Sequence, residues 1–501
     1  MSDWLNRPNW QLAIVSGTLV GLSYPVLPLG FLAWIGFIPL IHILSKADPW
    51  TAFRLGYLAG AFSNLFSLYW IGFNSGAGFV TVFASLIGAI LYLGLFWALF
   101  ALVLALLQRL QIGLLIWPFL WVIMEYIRSF GAMGFPWINL ATTQVSYLPM
   151  VQLTEITGSY GVAFWIIVLN VGLYRIIVTE ANRIRNSLGL VIMLLLIFVS
   201  GLIRIVYLEN KPIDTQFTVA IVQPNLNPND KWEKSKREFV FDLMDSTLIE
   251  ALKLEPQLVL WPESAVPAYL RINAYRRKRI EQRVKDAGIP LLTGSVDKVI
   301  TEEGISRVYN GSLLIRPDGT LETYHKIHLV PFGEYIPLSW KYPLLKKLNF
   351  GQGNFDHGQK YTVFELDSVN FSNLICYESS FPQQVRKFIK KGARLITIET
   401  NDAWFGRSSG PYQHYDLAIL RAVENRVPIA RSANTGISGF IKPSGRSFNK
   451  IPLNKSGIVI GTLPIPSEIS FYARYGDLFT LLCIISSIII TGMAWRRKYF
   501  T

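Results

Sequence analysis

The stretch LGYLAGAFSNLFSLYWIGFNSGAGFVTVFASLIGAILYLGLFWALFALVLALLQ, residues 55–108, decides the fold class. Between Arg54 and Arg109 its only ionisable side chains are neutral tyrosines. A hydrocarbon core about 30 Å thick needs about 20 apolar residues per helix. The run is too long for one span, and Asn74-Ser75-Gly76-Ala77-Gly78 divides it near its middle. It therefore reads as two transmembrane helices, near 52–73 and 79–107. Working outward, further apolar runs lie near 11–24, 28–45, 112–128, 161–178, 188–208 and 477–495, which makes eight spans. Pro25, Pro28 and Pro39 leave the boundaries of the first two least defined.

The rest of the chain differs in kind. Of 501 residues, 51% are hydrophobic and 16% charged, where a soluble protein carries roughly 25% charged residues. Disordered, collagenous and coiled-coil chains are excluded by the aliphatic and aromatic content and the lack of any such period. Residues 1–208 hold 9 Lys+Arg and 5 Asp+Glu, residues 209–477 hold 35 and 28, and residues 478–501 hold 3 and none. The expected organisation is a membrane domain of seven helices at 1–208, a charged insert at 209–476, and an eighth helix with a basic tail at 477–501. Basic residues in short loops mark the cytoplasmic side. Arg7, Lys46, Arg54, Arg109, Arg175, Arg183, Arg185 and Arg496-Arg497-Lys498 all fall on one side if the N-terminus is inside. Seven spans then carry the insert out of the cytoplasm. A cleaved signal peptide is the alternative for residues 1–24, but Tyr24-Pro25 offers no small-x-small cleavage site. Glu125 and Glu155, at the outer ends of spans, read either as functional intramembrane acids or as solvated end residues.

Within the insert, apolar β-rich runs at 217–222, 258–261, 290–294, 312–316, 373–377, 395–400, 428–433 and 438–442 alternate with helical patterns at 234–253, 270–287, 380–391 and 412–426. Pro317-Asp318-Gly319 and Pro443-Ser444-Gly445 read as hairpin turns. The mixture predicts a layered α/β domain of a size that buries its own core without disulfides. Only two cysteines exist, Cys376 in the insert and Cys483 in the last span, so no disulfide is expected. A lone thiol outside the cytoplasm is exposed to oxidation unless it is buried or used.

Cys376 stands where the apolar run Asn373-Leu374-Ile375 meets the polar Tyr377-Glu378-Ser379. A nucleophile at a strand end is held rigidly and presented at the sheet edge, and its thiolate needs a base or a positive neighbour. Two other strand ends offer these groups. Glu263 follows Leu258-Val259-Leu260-Trp261-Pro262, and Lys326 lies in Tyr324-His325-Lys326-Ile327-His328. One fits a general base and the other an oxyanion stabiliser. Singly, each also fits a turn or a solvated surface. His325, His328, His357 and His414 lack the spacing of a metal motif, so neither a metal nor another cofactor is expected.

Taken together, Trp-Pro-Glu263-Ser, His-Lys326-Ile-His-Leu-Val-Pro-Phe-Gly-Glu334-Tyr and Ile-Cys376-Tyr377-Glu378 resemble the Glu-Lys-Cys triad of the carbon–nitrogen hydrolase (nitrilase) superfamily. That resemblance implies an α-β-β-α sandwich, with Glu263 as general base, Lys326 as stabiliser of the tetrahedral intermediate and Cys376 as nucleophile. It also implies an oxyanion hole that includes the Tyr377 amide. With the eight-span plan, the pattern is similar to the apolipoprotein N-acyltransferase family of bacterial lipoprotein maturation. Gly134-Phe135-Pro136-Trp137, Asn401-Asp402-Ala403-Trp404-Phe405-Gly406, Gln413-His414 and Ala433-Asn434-Thr435-Gly436-Ile437-Ser438 carry the likeness further. It implies acyl transfer from a phospholipid, through a thioester on the Cys, to the α-amino group of the N-terminal diacylglyceryl-cysteine of an apolipoprotein. Glu334 and Glu378 would be accessory acids, and Tyr377 and Trp232 would contact substrate. The linker 341–359 carries no specific motif and is read as a candidate lid. The implied setting is the bacterial inner membrane, with the catalytic domain extracytoplasmic, a monomer, and no nucleic acid as partner. A membrane-tethered amidase would use the same triad with water as acceptor. A transporter would need paired intramembrane charges or an inverted repeat, and neither is present in the sequence.

Overall fold

A computed structural model of the chain describes residues 3–179, 182–212, 215–231, 233–339, 341–342, 344 and 354–500. The chain forms two compact units, one of 1–72, 79–209 and 475–501, the other of 73–78 and 210–474.

In the first unit, four helices among the described residues are long and apolar enough to cross a membrane. They are Phe79–Gln108, Ser159–Val178, Arg183–Asn210 and Leu478–Tyr499. Pro49–Leu68 is also 20 residues long, capped by Asp48, whose carboxylate accepts from the amides of Trp50 and Thr51. The other apolar runs form shorter helices, Asn9–Leu22 and Trp117–Arg128. The run expected at 28–45 is broken: a 3-10 turn at Gly30–Trp34 precedes a short helix, Ile38–Leu44. Small residues let the helices approach closely. A Cβ on Gly17 would lie 2.1 Å from the Ala59 carbonyl oxygen, and one on Gly60 2.7 Å from the Trp97 side chain.

Of the two acids left open above, Glu125 is not solvated. It is 1% exposed, and its carboxylate accepts from Asn139 Nδ2 at 2.7 Å and the Leu140 amide at 3.0 Å, with Arg128 3.7 Å away. A buried ion needs such partners, and here they pin the segment that follows Gly134-Phe135-Pro136-Trp137. Glu155 pairs with Arg204 at 2.8 Å. Cys483 is buried against Val122 and Tyr160, and both cysteines are free thiols.

The second unit contains two six-stranded sheets. The first is built from β1 (Thr215–Gln223), β2 (Leu258–Leu260), β3 (Leu291–Ile300), β4 (Ser306–Ile315), β5 (Leu321–His325) and β12 (Gly457–Ile465), in the order β12-β1-β2-β3-β4-β5. The second holds β6 (Phe364–Leu366), β7 (Val369–Ile375), β8 (Leu395–Thr400), β9 (Ile429–Ala433), β10 (Ser438–Ile441) and β11 (Ser447–Ile451), in the order β11-β10-β9-β8-β7-β6. β1, β2 and β3 run parallel through β2, and β7, β8 and β9 run parallel through β8. Strands covered on both faces read as unbroken apolar runs, and β2 and β8 are wholly buried.

Helices Arg237–Leu252 and Ala274–Ala287 cover one face of the first sheet. Met244, Leu248, Ile280 and Val284 share a core with Val222, Val259, Leu291 and Leu313. The two sheets meet through polar as well as apolar contacts. Asn373 Nδ2 donates to Ser312 Oγ at 2.6 Å, and Ser312 Oγ donates to Glu399 at 2.8 Å. Helices Pro382–Lys390 and Gly410–Asn425 belong to the second sheet's connections. The layered α/β expectation for the insert thus holds: β4–β5 and β10–β11 are the hairpins expected at Pro317-Asp318-Gly319 and Pro443-Ser444-Gly445, and β6 and β12 are added at sheet edges.

Candidate active site

In parallel α/β sheets, functional groups gather beyond the carboxyl ends of the strands. Glu263 lies just past β2, Cys376 directly past β7, and Asp402 just past β8. Lys326 follows β5. The Glu263 turn runs alongside β3, with Trp261 N donating to Leu292 O and Ala265 N to Gly294 O. A Cβ at Gly294 would fall 2.4 Å from Ser264 N and 2.5 Å from Glu263 Cα, so only glycine admits the turn there.

Lys326 is fully buried. Its Nζ donates to Glu334 Oε1 at 2.8 Å and lies 3.5 Å from Glu263 Oε1. Glu334 is itself anchored, since its Oε2 accepts from the Val330 amide at 2.8 Å. Burial works against the ammonium, but Glu334 and Glu263 outweigh it and hold Lys326 above its ordinary value, so it stays charged. Asn310, on β4, donates through Nδ2 to both Glu263 Oε1 and Glu334 Oε1 at 2.8 Å each. One amide therefore fixes the spacing of the two carboxylates around the lysine.

Cys376 opens the 3-10 turn Cys376–Ser380 with φ 52°. Few non-glycine residues accept this conformation, and it turns the side chain out of the strand direction. Burial first, and the Glu263 charge second, raise the thiol above its ordinary value; Lys326 and the Thr400 hydroxyl pull the other way. The resting group is a thiol, and a neighbouring base must remove its proton during attack. Glu378 does not touch Lys326's ammonium. Its carboxylate accepts from the amides of Ile375, Ile327 and His328, from Tyr324 and from Gln384, at 2.6–3.2 Å. It ties the strand carrying the cysteine to the loop carrying the lysine. The Tyr377 ring meets Phe381 edge to face at 5.1 Å. Trp232 lies outside the described residues, as does most of the linker 341–359.

Two further groups were given no role from the sequence, although Asp402 and His414 lie in two of its motif segments. Lys231 is 2% exposed, donates to the Glu263 carbonyl at 3.4 Å, and is lowered to about 8 by burial, against the pull of Glu263. Asp402, His414 and Arg431 form a buried chain. Arg431 Nη2 donates to Asp402 Oδ2 at 2.8 Å, and His414 Nδ1 lies 2.7 Å from Asp402 Oδ1. His414 Nε2 is 3.0 Å from the Cys376 carbonyl oxygen. Burial alone would raise Asp402, but His414 and Arg431 bring it down to about 2. Its position past an apolar run, the same signal that marks Glu263 and Cys376, was available in the sequence. Among the described residues, no three His, Cys, Asp or Glu side chains are grouped to hold a metal ion.

A Glu-Lys-Cys arrangement on a paired-sheet α/β scaffold defines a carbon–nitrogen hydrolase domain, and the family model "Carbon-nitrogen hydrolase" matches residues 218–471. The model "Apolipoprotein N-acyltransferase N-terminal domain" matches residues 16–172. A protein of Geobacter metallireducens named apolipoprotein N-acyltransferase is 36% identical over 99% of this chain and 97% of its own. One of the same name from Chlorobaculum tepidum is 31% identical over 99% and 98%. Among solved structures, an amidase from Nesterenkonia sp. is similar at 22% identity, covering 50% of this chain and 90% of that one, with a TM-score of 0.38. The chain belongs to the apolipoprotein N-acyltransferase family and is an acyltransferase.

Proposed function

We propose that the protein moves an acyl chain from a phospholipid, through a thioester on Cys376, to the α-amino group of the N-terminal diacylglyceryl-cysteine of an apolipoprotein. Glu263 takes the thiol proton as sulfur attacks the ester carbonyl carbon. Lys326 and the Tyr377 amide hold the oxyanion. The intermediate collapses, the C–O bond breaks, and the lysophospholipid oxygen leaves with the proton from Glu263. In the second half, the neutral amine attacks the thioester, Glu263 accepts its proton, and the C–S bond breaks to return the thiol. An α-amino group with pKa about 8 is partly neutral at pH 7, so no stronger base is required. Glu334 keeps Lys326 charged and in place, Glu378 fixes the two loops, and Tyr377 and Trp232 contact substrate.

The observation that carries this reading is geometric: buried Lys326 lies 2.8 Å from Glu334 and 3.5 Å from Glu263, Asn310 bridges the two acids, and Cys376 stands at the end of β7, within a chain related over its full length to enzymes named for this transfer. The setting we propose is the bacterial inner membrane. Eight spans, seven within 1–208 and one within 477–501, would leave 209–476 on the extracytoplasmic side, and the enzyme would act as a monomer.

Purified protein supplied with acyl-labelled phospholipid is expected to form a hydroxylamine-sensitive adduct, and then to pass the label to a diacylglyceryl-cysteine peptide. Cys376→Ala should form none, and Glu263→Gln should slow single-turnover adduct formation at neutral pH. An adduct in the alanine variant would refute the nucleophile. Label released only as free fatty acid, with peptide present, would mean hydrolysis instead.

A further inference from the structure

A cavity of about 960 Å³ lies in the α/β unit, lined in part by β3 and β4, the latter carrying Asn310, the residue that bridges Glu263 and Glu334. Its walls are continuous with the elements that carry the reacting groups. Val308 precedes Asn310 by one turn of the β pleat on β4, and Val296 pairs directly with Asn310 in the β3–β4 register. Pro267 continues the turn from Glu263, and Trp404 lies two residues past Asp402. Phe355 donates its amide to the Glu334 carbonyl at 2.9 Å. The volume falls within the range of small-molecule sites, about 300–1,000 Å³.

Among the described residues the lining is mostly apolar, but two arginines, Arg237 and Arg276, stand in it, and no Asp or Glu does. Arg237 opens the helix Arg237–Leu252, and its buried Nε has no hydrogen-bond partner among the described residues. A desolvated guanidinium N–H without an acceptor is costly, so the site is incomplete as a protein surface. Arg276 packs over the Phe241 ring at 4.5 Å and pairs at 3.1 Å with Glu238, whose side chain is 68% exposed. That carboxylate offsets part of one charge from outside the cavity, and the balance remains positive. Guanidinium forks match the oxygens of a phosphate better than any other anion-binding side chain does.

We infer that this cavity binds the phosphodiester headgroup of the acyl donor, with Arg237 and Arg276 on the phosphate oxygens, while the ester carbonyl lies at Cys376. The inference rests on the acyl-transfer reading above and adds to it the part of the donor that is recognised. In a glycerophospholipid only a few covalent bonds separate phosphate from ester, which suits a headgroup pocket built on the same strands as Asn310, the amide that spaces Glu263 and Glu334. A free phosphate ion has the same chemistry, and the experiment separates the two.

The full-length protein is assayed for Cys376 adduct formation with two donors carrying the same acyl chain, phosphatidylglycerol and a p-nitrophenyl ester that has no phosphate. The readout is the ratio of kcat/KM for the two donors, so a general loss of fold or activity cancels. In Arg237→Gln/Arg276→Gln this ratio is expected to fall at least about tenfold, the loss of one charge-assisted hydrogen bond or more. An unchanged ratio, whether both rates hold or both fall together, overturns the inference. Inorganic phosphate that inhibits both donors alike in wild type but not in the variant, with the donor ratio unchanged, would assign the cavity to a free anion and overturn it too. If wild type forms no adduct from phosphatidylglycerol but does so from the activated ester, the phospholipid reading itself falls, an outcome distinct from the others.

Discussion

Cys376 sits at φ 52°, a conformation that costs a non-glycine residue roughly 1 kcal/mol or more and persists only where surrounding contacts enforce it. His414 and Ser379 Oγ each lie 3.0 Å from its carbonyl oxygen, and the His414 ring is oriented by Asp402, which Arg431 holds in turn. Asp402 is 1% exposed, and its carboxyl is drawn down to about 2. Because the folded value lies below the unfolded one, the stabilisation is complete above the ordinary Asp range and is lost as pH falls toward about 2. Asp402→Asn should therefore lower stability at neutral pH by about 2 kcal/mol and flatten the acid limb of the stability profile. Thermal unfolding followed from pH 7 to pH 3 would check this; parallel profiles for the variant and wild type would refute the linkage. At this scale the sequence was partly legible. Glu263 and Cys376 end apolar runs, which makes them visible. Asn310 lies inside a strand between Tyr309 and Gly311, where a polar side chain gives no local sign that it will bridge two carboxylates from distant loops.

The elements present these residues by close backbone approach. Gly294 on β3 is where the Glu263 turn crosses the sheet, and a methyl group there would sit 2.4 Å from Ser264 N. The obstructing atoms are backbone, so the turn rather than a side chain would have to yield. Gly294→Ala is expected to shift Glu263 and to slow single-turnover acylation of Cys376 by about a hundredfold, the loss typical of a misplacement near 1 Å. Overpacking should also destabilise the domain by about 1–3 kcal/mol. Adduct formation at wild-type rate would show that the turn is not needed for placement. Strand runs buried on both faces, such as β2 and β8, were readable from their apolar residues. β12 was not, because Gly457, Gly461 and Pro464 read as loop residues. As an edge strand paired only with β1, β12 tolerates a proline. Gly461 faces the Phe440 ring, which a Cβ would meet at 2.5 Å. The pattern that hides the strand is therefore what lets it pack.

For the whole molecule, hydropathy located the long helices but not the interruptions. Pro28, Gly36 and Pro39 break the run at 28–45 into a 3-10 turn and a helix of 7 residues. Hydropathy averages over such breaks because neither Gly nor Pro is charged. What the basic loops predict is a sidedness, and it can be tested residue by residue. In a Cys376→Ala/Cys483→Ala background, single cysteines at Lys46→Cys, Gln111→Cys and Asn182→Cys occupy loops expected on the cytoplasmic side, whereas Ala77→Cys and Lys211→Cys occupy positions expected on the extracytoplasmic side. A membrane-impermeant maleimide applied to intact cells should label the latter pair, and the former three only after lysis. Labelling of Lys46→Cys or Asn182→Cys in intact cells would reverse or fragment the topology. Asn182→Cys is the most discriminating, because it precedes the helix Arg183–Asn210. If position 182 is inside and position 211 outside, that helix crosses the membrane, and the chain enters the α/β unit from the extracytoplasmic side. The free thiol of Cys376, which is only partly buried, would then work where disulfides form, so its remaining shielding and its raised, thiol-favouring titration are what would keep the nucleophile reduced.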